Sequence, residues 1–93
     1  MIRIEQSQQF KRDIKAYQHK RKTLAKLIEV LRMIEREEIL PARLRAHKLH
    51  GRYANHWECH VESDSLLIWI YYTDEGECVA ELIRFGSHSE LFG

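Results

Sequence analysis

The sequence predicts an α+β fold: one strand, then two helices, then a three-strand antiparallel meander, with the helices packed on one face of a small, mainly antiparallel sheet. Three observations predict it. Apolar residues recur at helical spacing between Phe10 and Ile34. They fall on every second position from Trp57 to Val61. From Leu66 to Tyr72 they occupy both faces, as a strand in the middle of a sheet requires.

Met1–Gln6 alternates apolar and polar residues, which predicts a short strand. Ser7 offers an N-cap, and Phe10, Ile14 and Tyr17 then mark one face of a first helix. Gln18–Lys22 interrupts the pattern. Thr23 is a candidate cap for a second helix whose face carries Leu24, Leu27, Ile28, Leu31 and Ile34. That helix is expected to fade near Glu38, because Pro41 disfavours helix in the residue before it. Ile39–Gly51 reads as an irregular connection.

Along Arg52–Glu62, Tyr53, Asn55, Trp57, Cys59 and Val61 point one way, toward the helices; His56, Glu58, His60 and Glu62 point the other. Glu62–Ser65 has turn chemistry, Leu66–Tyr72 is the central strand, Thr73–Glu77 a hairpin loop and Cys78–Phe85 the last strand. Gly86 permits a sharp turn into an irregular tail, Ser87–Gly93. One domain over residues 1–93 is expected.

The chain has 93 residues, 44% of them hydrophobic and 31% charged, which excludes a disordered chain. No apolar run is long enough for a bilayer, and the first residues lack the apolar stretch of a signal peptide. With Cys59 and Cys78 forming no framework, the reading is a cytoplasmic protein with reduced thiols and no membrane association. The net charge of +1 conceals an asymmetry. Residues 1–50 carry 13 Lys and Arg against 6 Asp and Glu, and residues 51–93 carry 2 against 8. A basic first half suits a polyanion, although solvated amphipathic helices look the same.

Five of the six histidines lie between His47 and His88, with Glu58, Asp64 and Arg84 among them. Glu58 and His60 share a strand face, where histidine suits proton transfer near neutral pH. The plain alternative is that an exposed sheet face must carry polar residues anyway. His47 and His50 sit in a connection, and His88 follows the last strand; a meander can bring such ends together with His60. His56, Cys59 and His60 resemble metal-ligand spacing. Cys59, however, points away from the other two on a regular strand, and neither CxxC nor HExxH occurs. Phosphate loops and acyl-transfer motifs are also missing. No metal or cofactor is expected.

The ordered string His47-Lys-Leu-His-Gly51, Trp57-Glu-Cys-His60-Val-Glu-Ser-Asp64, Leu66-Leu-Ile68 and Arg84-Phe-Gly-Ser-His88-Ser-Glu-Leu-Phe92-Gly93 resembles the YafQ family of toxins, in the RelE superfamily. The likeness runs the length of the chain. It implies the RelE-like fold and an endoribonuclease acting on messenger RNA in the ribosomal A site. It also implies a nearby-encoded antitoxin, DinJ- or RelB-like, that neutralises a monomeric toxin. His47, Glu58, His60, Asp64, Arg84 and His88 are then the candidate catalytic residues. His60 or His47 takes the 2′-hydroxyl proton, His88 protonates the leaving oxygen and Arg84 clamps the phosphate. Glu58 and Asp64 orient the imidazoles. Phe92 stacks on a base or anchors the core. Lys11, Arg12, Lys15, Lys20, Arg21, Lys22 and Lys26 become candidates for gripping ribosomal RNA.

Two further functions fit the same pattern. ParE-like toxins share the architecture and bind DNA gyrase without cutting RNA. A non-catalytic RNA- or protein-binding module is the other. The histidine set with the SHSELF ending favours the nuclease.

Overall fold

The computed structural model describes residues 1–93. The elements run β1 (Arg3–Gln6), α1 (Gln8–Ala16), α2 (Arg21–Glu35), β2 (His47–Lys48), β3 (Trp57–Glu62), β4 (Ser65–Asp74), β5 (Glu77–Gly86) and α3 (His88–Phe92), with single 3-10 turns at Ala42–Leu44 and Gly51–Tyr53. The five strands form one sheet in the order β1-β5-β4-β3-β2. β2 through β5 pair antiparallel, and β1 joins the far edge parallel to β5. The α+β plan and its meander are therefore present, and the helical connection between β1 and the meander makes the parallel pair.

The main core lies between the sheet and the two long helices. Phe10, Tyr17, Leu27, Val30 and Ile34 meet Cys59, Val61, Leu67, Trp69, Leu82 and Phe85 there. Ser7 does cap α1, its hydroxyl accepting from the Phe10 N–H at 3.0 Å. Thr23 does not cap α2. The helix starts earlier, behind Lys20, and the Thr23 hydroxyl instead donates to Glu62 at 2.8 Å. The inward stripe is Thr23, Leu27, Val30 and Ile34, while Ile28 is 49% exposed. Helix α2 stops at Glu35, before Pro41 can act, because Glu37 turns left-handed at φ 60°.

The first strand of the meander and the tail also differ from expectation. β3 begins at Trp57, and the residues before it make the 3-10 turn. The tail is a helix with a capping box: the Ser87 hydroxyl accepts from the Glu90 N–H while the Glu90 carboxylate accepts from the Ser87 N–H. Gly86 makes this docking possible through space and not through an unusual turn. A Cβ there would stand 2.8 Å from Glu90 Oε1 and 3.4 Å from Leu91 Cδ2. Leu91 closes a second, smaller core with Leu66 and Ile68, joined by Leu49, Tyr53 and Ile83, on the sheet face opposite the long helices. That face is therefore partly roofed, and polar only around the roof.

Candidate active site

Strand register sets the frame of this second face. His47 pairs with Glu58, Glu58 with Ile68, and Ile68 with Arg84, so these four form one row across β2 to β5. His60, Leu66 and Gly86 form the next row. Neighbouring strands lie about 4.8 Å apart, so His60 stands roughly 10 Å from Gly86, and Glu58 about as far from Arg84. A bulge in β5 sets Arg84 out of simple alternation: Ile68 pairs with Arg84, but the next pair is Trp69 with Leu82.

His47 is tied at both ring nitrogens. Its Nδ1 lies 2.7 Å from the Arg45 carbonyl oxygen, which only accepts, so Nδ1 carries a proton. Its Nε2 lies 3.3 Å from Glu58 Oε1. A carboxylate likewise only accepts, so that contact closes when one further proton sits between Nε2 and Oε1. Glu58 is nearly buried, with 8% of its side chain exposed, so His47 is its one charge partner in a dry setting. Arg45, which supplies the carbonyl, adopts the left-handed conformation (φ 52°, ψ 43°) at the end of its 3-10 turn.

His60 is half-buried, and neither of its ring nitrogens bonds to the chain. It opens onto a cavity of about 390 Å³ lined also by Arg43, Arg45, Glu62 and Ser63. Glu62 is engaged on every side: Thr23 and Ser65 hydroxyls and the Lys26 ammonium all donate to it, at 2.8, 3.2 and 3.2 Å. These bonds, led by Thr23, hold its carboxyl below the usual range.

Arg84 is not a free clamp. Its Nε donates to Asp13 Oδ2 at 2.8 Å and its Nη2 to Asp13 Oδ1 at 3.3 Å, and the Phe85 N–H also donates to Asp13 at 2.9 Å. The pair is mostly buried, and Asp13 raises the guanidinium pKa further. Asp13, on α1, is a member of the site that sequence reasoning missed. It lies far from Arg84 along the chain and carries no motif.

His88 opens α3 and is exposed, its ring edge-on to Phe92 at 5.0 Å. Phe92 in turn meets Tyr53 edge-on at 5.9 Å. Phe92 is 42% exposed, so the anchoring falls to its neighbour Leu91, and Phe92 presents a partly open ring. Asp64 does not touch an imidazole. Its Oδ1 accepts from the His88 backbone N–H at 3.0 Å, so it orients the helix that carries His88. His47 meets Glu58, and His60 lies one row on, across β4 from Gly86, which leads into His88.

The basic residues of the helices are all exposed. Of the seven, Lys20 and Lys26 border a cleft with Asp64 and Ser87. Lys26 is paired with Glu62, and Lys20 lies 5.2 Å over the Tyr17 ring. Lys11, Arg12, Lys15, Arg21 and Lys22 border none of the cavities that hold the candidate site residues. No three His, Cys, Asp or Glu side chains converge to hold a metal ion, and Cys59 is buried, its thiol pushed up to about 12 mainly by burial. No helix is long and apolar enough to cross a membrane.

Comparison with known proteins places these observations. The family described as a bacterial toxin of type II toxin-antitoxin system, YafQ, matches residues 2–93. The mRNA interferase toxin YafQ of Escherichia coli K12 is 32% identical over 94 residues, taking in 97% of this chain and 95% of that protein. The crystal structure of YafQ from Escherichia coli BL21(DE3) superposes with a TM-score of 0.86 at 31% identity, covering 100% of both chains. A metal-bound toxin from Helicobacter pylori gives 0.86 at 34% identity, covering 99% of this chain and 100% of that one. The toxin of the Escherichia coli DinJ-YafQ complex gives 0.82 at 32% identity, covering 99% and 98%.

Proposed function

Because the chain belongs to the YafQ family of type II toxin-antitoxin toxins, we propose that it is an mRNA interferase that cleaves messenger RNA in the ribosomal A site by metal-independent acid-base catalysis. The observation that supports this most is the sheet face itself: His60 with both ring nitrogens free, Gly86 across from it leading into His88, and Arg84 held on the same strand as Gly86 in the adjoining row. The register sets the His60 and Gly86 positions roughly 10 Å apart, and His88 follows Gly86 at the start of α3.

In this mechanism the RNA 2′-hydroxyl attacks the adjacent phosphorus as His60 takes its proton, because His47 has both nitrogens occupied. His88 gives a proton to the leaving 5′-oxygen. The products are a 2′,3′-cyclic phosphate and a 5′-hydroxyl. Arg84 offsets charge on the phosphorane, and its Asp13 bonds fix it in place beforehand. The His47–Glu58 pair lies beside the base and sets its electrostatics. Asp64 positions His88 through the backbone of α3. Phe92 offers its open face to a base. The toxin acts as one domain, a monomer in the cytoplasm, until a DinJ-like antitoxin covers it.

Purified toxin is mixed with messenger RNA, with and without programmed ribosomes, under single-turnover conditions. Native toxin is expected to cut only in the presence of ribosomes, and His60→Ala and His88→Ala to lower the rate by about 10²-fold or more. Full cleavage by both variants would overturn the assignment. Binding of the native chain to DNA gyrase without any cleavage would replace the nuclease by a ParE-like function.

A further inference from the structure

We propose that Arg43 and Arg45, with the Ser63 hydroxyl, form a phosphate subsite beside His60 that holds the messenger RNA backbone one phosphate away from the cleaved bond. This rests on the nuclease reading and extends it. Arg43 and Arg45 both line the cavity that His60 opens onto, and neither forms an ion pair with a carboxylate of the chain. Both Arg43 and Arg45 are exposed, so each guanidinium is free to turn toward a ligand. The one acidic wall residue, Glu62, has its charge answered by Lys26 and both oxygens occupied by Thr23, Lys26 and Ser65. The cavity therefore presents net positive charge to an anion, and guanidiniums match the oxygens of a phosphodiester in a fork.

Position and chemistry agree. A strand whose scissile phosphate lies beside His60 can run on into the cavity that His60 shares with Arg43 and Arg45. The Arg43–Arg45 turn is also fixed. Arg45 sits left-handed at φ 52°, its N–H bonded to the Ala42 carbonyl and its carbonyl accepting from His47. The backbone that presents the arginines thereby also orders the His47–Glu58 pair. A test must keep that backbone, so Arg45→Asn is the variant of choice: asparagine tolerates the left-handed conformation and removes the guanidinium.

The test is single-turnover cleavage on programmed ribosomes, using messenger RNAs with a neutral methylphosphonate at each phosphate flanking the scissile one. Native toxin is expected to lose about ten-fold in rate at one flanking position. The double variant Arg43→Ala, Arg45→Asn is expected to lose about as much on natural RNA and to show no further loss at that position. Equal sensitivity to that methylphosphonate in native and variant toxins overturns the subsite. A variant that is slow on natural RNA yet coupled to no messenger phosphate also overturns it, and assigns the arginines to ribosomal RNA. Binding of the same RNAs, made uncleavable by 2′-O-methylation, is measured in parallel. Coupling in binding with no cleavage by native toxin would sink the nuclease reading while the subsite stands.

Discussion

Asp13 illustrates what one side chain decides here. It is nearly buried and accepts four hydrogen bonds, two from Arg84, one from the Phe85 N–H and one from the Gln9 side-chain amide. Removing it leaves a mostly buried guanidinium and a backbone donor without partners, which costs about 1–3 kcal/mol for such groups. Asp13→Ala is expected to lower unfolding free energy in urea by about 2 kcal/mol. Asp74→Ala, which removes one exposed partner of Arg3, is expected to cost under about 1 kcal/mol. Equal losses would show that Asp13 is an ordinary surface charge. In the sequence, Glu58 and His60 could be placed on one face from the period of two alone. The His47–Glu58 contact could not, because it depends on the register of a two-residue strand that carries no periodic signal. Asp13 was hidden for a related reason: its partner is reached only when α1 crosses the end of β5.

At the scale of elements, α3 is the piece whose attachment is conditional. Glu90 accepts from the Ser87 N–H at 2.7 Å and from the Tyr17 hydroxyl at 2.7 Å, and these bonds hold its carboxyl below the usual range. Burial and the same Glu90 bond push Tyr17 up to about 12. Docking of α3 is therefore at full strength above the ordinary glutamate range, about 4.3, and weakens as pH falls through the lowered value of Glu90. On the alkaline side it holds below the ordinary tyrosine range and is lost as pH rises toward about 12. The Leu91 methyl resonances, shifted by the small core, report both ends. Glu90→Gln is expected to flatten the acid limb, and an unchanged acid limb would contradict the tie. Gly86→Ala is expected to push the Glu90 carboxylate off its Ser87 and Tyr17 bonds, through the 2.8 Å approach to Oε1, and so to loosen α3 and lower cleavage while leaving the main core folded. A native spectrum for Leu91 and His88 in that variant would refute the close-approach argument. This helix was legible in principle. Ser87-His-Ser-Glu90 is a capping-box spacing, overlooked because a five-residue helix has no room for an apolar period. The two long helices and the meander were read from periodicity because their apolar faces are long; the start of α2 was misread because Lys20 supplies no side-chain cap and Thr23 faces Glu62.

For the molecule as a whole, the charge asymmetry read from the sequence becomes a division of labour between faces. The long helices cover the main core and display Lys11, Arg12 and Lys15 to solvent, while the opposite sheet face carries the histidines around a small apolar roof. Reversing Lys11, Arg12 and Lys15 to Glu is expected to weaken ribosome binding and to flatten its dependence on salt, with the single-turnover rate at saturation unchanged. A salt titration identical to that of the native chain would dispose of a role for this surface. The ends of the cut RNA report the chemistry most directly. Messenger RNA cleaved on programmed ribosomes is analysed for its new termini by mass spectrometry, beside an RNA carrying a single 2′-deoxy nucleotide at the cleavage site. Attack by the 2′-hydroxyl predicts a 2′,3′-cyclic phosphate or its 3′-phosphate hydrolysis product opposite a 5′-hydroxyl, and no cleavage of the deoxy substrate. A 3′-hydroxyl opposite a 5′-phosphate, with the deoxy substrate cut equally well, would contradict it.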